Sequence, residues 1–367
     1  MANNYKAVVF HHNDLDGKAS GYCVHKFFVE PWDLEEDPNL YFKKNYNDPF
    51  AFDVVDQNTI VFVTDLSFTK DTFNQLETLC KLAHMVIWID HHQSSKEFID
   101  NNKERVLKLT NLVYFVNIDG CGALLTYCLS KLNREVIERA QGIYNGFDIK
   151  FDEKYIAAEI NYAFSENDWD FIQFIIPKWL FFVDDYDRFK LQNELTDSFI
   201  LGCDQNDTSL TKNVNKPDGT KTRIFNKFWG DLSTNLKSLN KYIENGAIIR
   251  SYLDSRYKRE LINAFEFTLP DGVTILCKNA MGNSWNLCDE YYNYPAVCIF
   301  SYDGKNGLWK HSIFARNHGA DFNAAKLCEV FGGGGHAGAA GFSTPLPIFT
   351  NKEYFSAIWK EKTGQDI

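Results

Sequence analysis

Residues 85–92, Met-Val-Ile-Trp-Ile-Asp-His-His, decide the fold of this 367-residue chain. The first five residues form a continuous apolar run, which is typical of a buried strand. Three ionisable side chains follow at its end, and burying such groups without a partner costs free energy. A metal ion is the natural partner, so the segment predicts a strand that ends in a metal site.

Two other apolar runs end in the same way. Residues 7–10 lead into the segment 11–17, His-His-Asn-Asp-Leu-Asp-Gly, and residues 60–63 lead into Thr64 and Asp65. Helical spacing separates these runs, and strand–helix alternation predicts an α/β fold with a mostly parallel sheet. Ligands of such sheets bind outside the carboxyl ends of the strands. The three strand ends therefore predict one site.

Composition narrows the class of protein. Hydrophobic residues make up 45% of the chain and charged residues 24%, which predicts a packed core. The net charge of -11 disfavours long duplex DNA as a partner, although a short phosphorylated substrate remains compatible. The nine cysteines show no C-x-x-C spacing, and we expect reduced thiols in a cytoplasmic protein. We expect no membrane span, because uncharged apolar stretches are too short.

The length and the changes in pattern predict two domains joined by a connecting region. Residues 1–203 form the first domain, within which residues 133–185 look largely helical. Residues 204–265 are interpreted as a polar linker loop, over 204–224, followed by connecting helices. Residues 266–367 form a smaller α/β domain. Its strand-like segments are 273–277, 296–302 and 308–314, and a helix is predicted over 322–331.

The strand ends of the first domain offer more ligands than one ion needs. The candidates are His11, His12, Asp14, Asp16, Asp65, Asp90, His91 and His92. Such mixed carboxylate–imidazole sets suit Mn²⁺, with Mg²⁺ or Co²⁺ as substitutes. A carboxylate-rich cluster also suits a pair of ions, which acts on phosphate esters with an activated water. Residues 184–187, Asp-Asp-Tyr-Asp, follow another apolar run and add one more carboxylate; alternatively, Asp187 pairs locally with Arg188.

A glycine-rich segment is the second signal. Residues 331–342 read Phe-Gly-Gly-Gly-Gly-His-Ala-Gly-Ala-Ala-Gly-Phe. Consecutive glycines permit positive φ angles, and their exposed amides can form anion-binding nests. His336 can donate a hydrogen bond to a phosphate oxygen. Arg316, which follows the strand-like segment 308–314, can bind phosphate with both arms of its guanidinium.

Together these segments resemble the DHH–DHHA1 phosphoesterases. Residues 11–17 are similar to the first motif of that family and Asp65 to the second. Residues 90–92 are similar to the third motif and Asp185 to the fourth. Residues 332–342 resemble the G-G-G-H-x-x-A-A-G-F signature of the DHHA1 domain. The resemblance spans residues 7–342 and implies an N-terminal DHH domain, a C-terminal DHHA1 domain and a cleft between them.

The resemblance also implies roles for individual residues. Two Mn²⁺ ions would be held, and Asp90 would orient His91 from behind. His11 is favoured over His12 because it directly follows the strand, and Asp184 and Asp187 remain alternatives to Asp185. The implied metal ligands are His11 or His12, Asp14, Asp16, Asp65, His91 and Asp185. The implied catalytic and phosphate-binding residues are Asp90, His92, Arg316 and His336, with Gly333, Gly334 and Gly335 in the binding loop.

The expected activity is hydrolysis of short oligoribonucleotides, or of linear or cyclic dinucleotides, to mononucleotides. A RecJ-like single-strand exonuclease is a less favoured alternative, because no obvious basic tract is available to follow a longer strand. A non-catalytic sensor or sponge for a cyclic dinucleotide is the alternative from another class. The expected partners are a short nucleotide or oligonucleotide and, as an option, a second copy of the chain in a homodimer.

Overall fold

The computed structural model describes residues 5–45, 48–130, 176–281 and 289–366. Most of the segment 133–185 that is predicted to be helical lies outside these described residues. The chain divides into two compact units. The first contains residues 1–187 and 203–241, and the second contains residues 188–202 and 242–367. The predicted α/β class with two domains is confirmed.

A five-stranded parallel sheet forms the centre of the first unit. Its strands are β1 (Lys6–His12), β2 (Tyr41–Lys44), β3 (Thr59–Thr64), β4 (Met85–Asp90) and β5 (Leu112–Val116). The helices around it are α1 (Leu15–Val24), α2 (Phe73–Leu82), α3 (Gln93–Asn101), α4 (Lys103–Val106), α5 (Gly122–Ser130) and α6 (Lys178–Asp187). Strands β3 and β4 are buried along their whole length, which explains their continuous apolar sequences.

The order of the strands fixes where a ligand can bind. The sheet has the order β2-β1-β3-β4-β5, so successive connections leave β1 in opposite directions. A crevice opens at such a switch point, outside the carboxyl ends of the two strands. Here those ends are His12 of β1 and Thr64 of β3, directly before the polar segments that the sequence singled out.

The segment 204–224, predicted to be a loop, contains most of an antiparallel hairpin instead. Strands β6 (Thr211–Asn215) and β7 (Lys221–Phe225) pair over five residues each. The polar, turn-rich composition belongs to the tip, where Gly219 has a φ of +82° and the carboxylate of Asp218 accepts the amide of Thr220. These exposed strands contain too few hydrophobic residues to produce the alternating pattern that predicts a strand. Helix α8 (Lys227–Thr234) follows directly.

The second unit is built on a six-stranded mixed sheet in the order β12-β13-β11-β10-β9-β8. Its strands are β8 (Phe265–Thr268), β9 (Thr274–Asn279), β10 (Ala296–Asp303), β11 (Leu308–Ala315), β12 (Gly334–Gly335) and β13 (Ala339–Thr344). Its helices include α7 (Thr196–Asp204), α10 (Ala324–Val330) and α11 (Lys352–Thr363), and α9 (Leu236–Glu260) precedes the sheet. The three predicted strands and the predicted helix are all present. Within the described ranges, no helix combines the length and the apolar character that crossing a membrane requires.

Candidate functional site

The first part of the site is the turn between β1 and α1. Asp14 caps α1, because its Oδ1 atom accepts the amide of Gly17 at 2.8 Å. Its Oδ2 atom lies 2.6 Å from Nδ1 of His12. A Cβ atom on Gly17 would lie 2.3 Å from the carbonyl oxygen of His12, so only glycine lets the chain turn this tightly. The turn thereby brings His12 and Asp14 to the end of the sheet.

Asp65 lies at the end of β3 in a left-handed backbone conformation, with a φ of +55°. A non-glycine residue in this region costs of order 1–3 kcal/mol, and such strain concentrates at functional positions. The amide of Asp65 donates to the carbonyl of Ile89 at 2.9 Å, which holds the residue against β4. In this position its Oδ1 atom lies 3.2 Å from Nε2 of His91, and its Oδ2 atom lies 3.6 Å from Nδ1 of His12.

Asp90 is fully buried and fixes both histidines that follow it. Its Oδ1 atom accepts the backbone amide of His91 at 2.9 Å and lies 2.7 Å from Nδ1 of His92. Its Oδ2 atom accepts from the hydroxyls of Ser67, at 3.2 Å, and Ser95. The ring that Asp90 orients is therefore that of His92, whereas the sequence suggested the ring of His91.

His91 connects the strand ends to two further carboxylates. Its Nε2 atom lies 3.4 Å from Oδ2 of Asp187, on α6, and 3.8 Å from Oδ2 of Asp16, on α1. Asp16 in turn accepts the amides of Gly122 and Ala123 at 2.7 and 2.8 Å. Because these amides begin α5, a helix N-terminus stabilises the Asp16 carboxylate. Side chains of α1 and α6, together with the N-terminal amides of α5, thus converge on the end of β4.

These residues form three groups of potential metal ligands. Within each group the ligand atoms lie within 4.8 Å of one another. The groups are Asp65, His91 and His92; His12, Asp14 and Asp65; and Asp16, His91 and Asp187. Asp65 and His91 each belong to two groups. The arrangement therefore offers two neighbouring positions for a divalent cation rather than a single one.

Carboxylates are crowded in this site. Burial, together with the charge of Asp65, raises the pKa of Asp16 to about 8. Burial and the charge of Asp14 also raise the pKa of Asp65. Burial raises the pKa of Asp187 well above its usual range, although His91 is close. Each of these shifts opposes the charged form of a carboxylate, and bound cations would reverse that balance.

The histidines respond to the same carboxylates. Burial alone would lower the pKa of His91, but the charges of Asp187 and Asp65 raise it well above its usual range. Burial would likewise lower the pKa of His12, but its hydrogen bond to Asp14 and the proximity of Asp65 raise it to about 10. The imidazoles are thus held among anionic oxygens that favour their protonated forms, and a bound cation would displace those protons.

The side chains fit a divalent cation. The buried Oδ2 atoms of Asp65 and Asp187 lie 3.6 and 3.4 Å from histidine nitrogens but accept no hydrogen bond among the described residues. A buried carboxylate oxygen needs a partner, and a cation supplies one. The three groups contain only oxygen and imidazole donors, which suit Mn²⁺, Mg²⁺ or Co²⁺ and do not favour a soft, thiolate-seeking metal.

The structure distinguishes between the alternative histidines of the first motif. It places His12 in the ligand groups, whereas His11 directs its Nδ1 atom to the carbonyl of His12 at 2.7 Å. His11 is buried, and burial lowers its pKa to about 4. Successive residues of a strand point to opposite faces, so only one of the two can face the site. The geometry thus favours His12 over His11 as a ligand of the candidate site.

The structure also distinguishes between the three aspartates of α6. Asp187 lies in a ligand group, and Asp184 accepts the amide of Cys121 at 2.7 Å. These two residues are three positions apart and share a helix face. Asp185, the expected ligand, is fully buried but is not in any of the three groups of described residues. The geometry of the described residues thus favours Asp187 over Asp185 as a ligand of the candidate site.

The expected phosphate-binding residues lie in the second unit. His336 is exposed in the turn between β12 and β13. The amide of Ala315 donates to the carbonyl of Gly338 at 2.8 Å, so Arg316, the next residue, starts beside this turn. The guanidinium of Arg316 lies 3.3 Å from the carboxylate of Asp321. The structure thus brings the segments of Arg316 and His336 together at one corner of this unit.

The glycines that precede His336 differ in their structural requirements. Gly332 and Gly335 have φ angles of +77° and +142°, which disfavour any other residue. A Cβ atom on Gly333 would lie 2.1 Å from the carbonyl oxygen of Gly341, so this glycine permits close packing of the chain. A Cβ atom on Gly334 would have no neighbour within 4 Å. Of the three glycines expected to bind substrate, Gly334 is the most open.

No protein-family model matches the sequence, and no curated protein matches it. Several solved structures do match. A DHH domain, described as belonging to a member of a family of ribosomal proteins, is 13% identical with a TM-score of 0.48 and covers 99% of this chain and 88% of its own. A pGpG-specific phosphodiesterase, PggH from Vibrio cholerae, is 12% identical with a TM-score of 0.40 and covers 96% and 97%.

An exopolyphosphatase-related protein from Bacteroides fragilis is also similar, at 12% identity and a TM-score of 0.42, over 98% of this chain and 92% of its own. One of the three is thus described as a DHH domain, the family that the motifs of this chain resemble. At these identities and scores, the likeness does not transfer an activity. The chemistry of this chain rests on its own side chains.

Sequence reasoning missed two residues that support the site, Ser67 and Ser95. Both donate to Asp90, and both are small polar residues close to a motif, two positions after Asp65 and three after His92. It also missed Gly122, where a Cβ atom would lie 2.8 Å from Cβ of Asp65. Each of the three is a small residue three to six positions after the end of a strand, and that position was the signal available.

Proposed function

We propose that this chain is a phosphodiesterase that uses two divalent cations, Mn²⁺ in the first instance, to hydrolyse short oligoribonucleotides or linear or cyclic dinucleotides to mononucleotides. The observation that carries the proposal is the sharing of Asp65 and His91 between neighbouring ligand groups at the switch point of a parallel sheet. Two neighbouring cations, about 3.5–4 Å apart, are typical of enzymes that act on phosphate esters.

Two of the ligand groups share no residue and would each hold one cation. His12, Asp14 and Asp65 would hold one, and Asp16, His91 and Asp187 would hold the other. The third group links these two, because it contains Asp65 from the first and His91 from the second. A pair of cations supplies positive charge for the phosphate and makes a water more acidic. This division leaves no need for a side-chain nucleophile, since water can attack the phosphorus directly.

His92 is the residue of the first unit that is suited to contact the phosphate. Asp90 holds its Nδ1 atom at 2.7 Å, which fixes the plane of the ring. The Nε2 atom then lies on the side of the ring away from Asp90. The side chain is 21% exposed, whereas that of Asp90 is completely buried. His92 can therefore donate to a phosphate oxygen, while Asp90 acts as its positioning residue.

Arg316 and His336 are the corresponding residues of the second unit. The guanidinium of Arg316 can engage two phosphate oxygens at once, and this bidentate contact is strong and directional. The imidazole of His336 adds a single donor from the neighbouring turn. We infer that both residues bind the substrate phosphate, a role supported by their exposure and by their common location beside Gly338.

Product analysis tests the proposal. The protein is incubated with Mn²⁺ and, in parallel, with a linear diadenylate, a cyclic dinucleotide and a single-stranded oligonucleotide, and EDTA serves as the control. We expect release of mononucleotides that EDTA abolishes, with the fastest turnover on one of the two short substrates. Mg²⁺ and Co²⁺ in place of Mn²⁺ rank the cations. Tight binding of a cyclic dinucleotide without turnover would instead identify a sensor or sponge.

Two variants locate the activity in the site. Asp65→Ala removes the carboxylate that two ligand groups share, and we expect it to abolish hydrolysis. Asp90→Ala leaves the ligands present but removes their support, which typically costs 10–100-fold in metal affinity or activity. Asp100→Asn, at an exposed position of α3, is the matched control and should retain wild-type activity. Undiminished hydrolysis in both site variants would show that the chemistry occurs elsewhere.

A further inference from the structure

The hairpin of β6 and β7 is basic in a chain that is acidic overall. Residues 211–227 contain five basic side chains and one acidic side chain, Asp218, whereas the whole chain has a net charge of -11. The basic residues are Lys212, Lys216, Lys221, Arg223 and Lys227. A local charge of this sign and density is the electrostatic footprint of an anion-binding surface.

The lysines of the hairpin face solvent. Lys212, Lys216, Lys221 and Lys227 are exposed, and within the described parts of the chain none of them forms an ion pair. The single acidic side chain, Asp218, accepts instead from the amide and the hydroxyl of Thr220, at 2.9 and 2.6 Å. Among the described residues, the four exposed lysines of the hairpin therefore have no ion pair, although Asp37 lies near Arg223.

The hairpin is fixed to the first unit. Arg223 donates from Nη2 to the carbonyl of Tyr41 at 3.1 Å and from Nε to the hydroxyl of Thr211 at 2.7 Å. The ring of Phe225 stacks on His25, with 4.4 Å between centroids. These contacts attach β7 to the edge of the parallel sheet, so the lysines occupy defined positions relative to that sheet.

The base of the hairpin lies beside the metal ligands. Thr208 lies close to α1, because its hydroxyl is 3.4 Å from Nζ of Lys18. Lys18 follows Asp14 by four residues. Leu210 is buried, and a Cβ atom on Gly21 would lie 2.4 Å from its Cδ1 atom. Lys43, at the carboxyl end of β2, pairs in register with His11. Lys43 lies near Lys18, which is also close to Asp14, Asp204 and Asp207. The two lysines therefore add basic side chains between the site and the hairpin, beside these acids.

We propose that Lys18, Lys43 and the basic hairpin form a track that binds the phosphates of a single-stranded oligonucleotide beyond the linkage that is cleaved. This inference rests on the proposed function, and it specifies how the oligonucleotides within that substrate class are bound. The sequence suggested that no basic tract was available. The structure gathers one from separate segments and fixes it next to the metal ligands.

The side chains of the track indicate how the strand is bound. The aromatic ring of the hairpin, Phe225, already stacks on His25. The exposed hydrophobic residue, Ile224, is aliphatic and 37% exposed, so it offers no ring on which a base could stack. Lysines contact phosphates without reading bases, so binding should depend strongly on salt and little on sequence. Exposed lysines also protect strand edges from aggregation, but that function alone predicts no effect on nucleic-acid binding.

Fluorescence anisotropy tests the track without turnover. The Asp65→Ala protein serves as the parent, and the probes are a labelled 12-nucleotide single strand and a labelled dinucleotide. The variant K212Q/K216Q/K221Q is compared with K81Q/K103Q/K108Q, which removes three exposed lysines elsewhere in the same unit. Thermal unfolding checks that both variants fold like the parent.

We expect the hairpin variant to bind the 12-nucleotide strand more weakly, with unchanged binding of the dinucleotide. Three lost phosphate contacts should reduce the slope of log K against log salt by about 2. Between 50 and 200 mM salt, the parent should therefore lose roughly 20-fold more affinity than the variant. The control variant should keep the slope of the parent.

The proposed track would be contradicted if the two lysine variants lost equal affinity for the 12-nucleotide strand. An unchanged slope of log K against log salt in the hairpin variant would also contradict it. Tighter binding of polyglutamate or of anionic vesicles than of the strand would also overturn it, in favour of another partner. The proposed function fails separately, if wild-type protein turns over none of the three substrates. Hairpin-dependent binding would in that case still support the track.

Discussion

The Nε2 atom of His91 lies 3.4 Å from the Oδ2 atom of Asp187. This contact connects the end of β4 to α6 and makes Asp187, rather than Asp185, the carboxylate that completes a ligand group. We predict that Asp187→Asn lowers the number of Mn²⁺ ions bound per chain from two towards one and lowers hydrolysis at least tenfold. Metal analysis of the purified protein, together with initial rates, measures both effects.

Asp185→Asn is the matched control for this prediction. It changes the same functional group two residues away on the same helix, at a position outside the three ligand groups. We expect it to bind the wild-type number of ions, even if its melting temperature falls because Asp185 is buried. A loss of ions in Asp185→Asn, with none in Asp187→Asn, would restore the assignment that the sequence favours.

The end of each strand was predictable because an apolar run followed directly by acids is typical of a buried strand that leads into a ligand site. The choice between Asp185 and Asp187 was not, since it depends on the rotation of α6 about its axis. The choice between His11 and His12 depends in the same way on which face of β1 meets the ligand groups. The left-handed conformation of Asp65 also left no signal, because local propensity does not favour it.

Gly122 supports the site through its lack of a side chain. A Cβ atom there would lie 2.8 Å from Cβ of Asp65 and 2.9 Å from Oδ2 of Asp16. We predict that Gly122→Ala displaces both carboxylates and weakens Mn²⁺ binding about 10–100-fold, although it removes no ligand. Calorimetric titration of Mn²⁺ measures the affinity.

Gly230→Ala provides the control for that titration. Gly230 lies within α8, where an added Cβ atom would have no neighbour within 4 Å. Alanine in a helix is favoured over glycine by up to about 1 kcal/mol, so this variant should be as stable as the wild type or more stable. Equal Mn²⁺ affinity in the two alanine variants would show that the space around Gly122 is not required.

Arg316→Ala tests the role of the second unit. If the guanidinium binds the phosphate equally in the ground state and the transition state, KM should rise while kcat stays nearly constant. Loss of hydrogen bonds to a charged group predicts a rise of roughly 10- to 100-fold. Arg259→Ala, which removes an exposed guanidinium from α9, should change neither constant. A large fall in kcat at constant KM would place Arg316 at the transition state instead.

His311 gives the second unit a pH-dependent stability. Its ring lies between Phe342, at 4.6 Å, and Phe300, at 5.8 Å, and its Nδ1 atom lies 3.1 Å from the carbonyl of Trp309. Burial lowers its pKa to about 4. As the pH falls, the unfolded chain therefore binds this proton before the folded chain does. The contribution of the neutral ring to the free energy of unfolding is fully present above pH 6.5 and is lost as the pH falls towards 4.

His311→Phe should remove this dependence, because phenylalanine has no proton to bind in either state. Linkage predicts that, between pH 7.5 and pH 5, the free energy of unfolding of the wild type falls by roughly 2 kcal/mol more than that of the variant. Urea denaturation at the two pH values measures the difference. His84→Gln, at an exposed position, keeps His311 in place and should retain the wild-type dependence. If wild type and His311→Phe lose equal stability on acidification, another group carries the effect and the buried ring is not responsible.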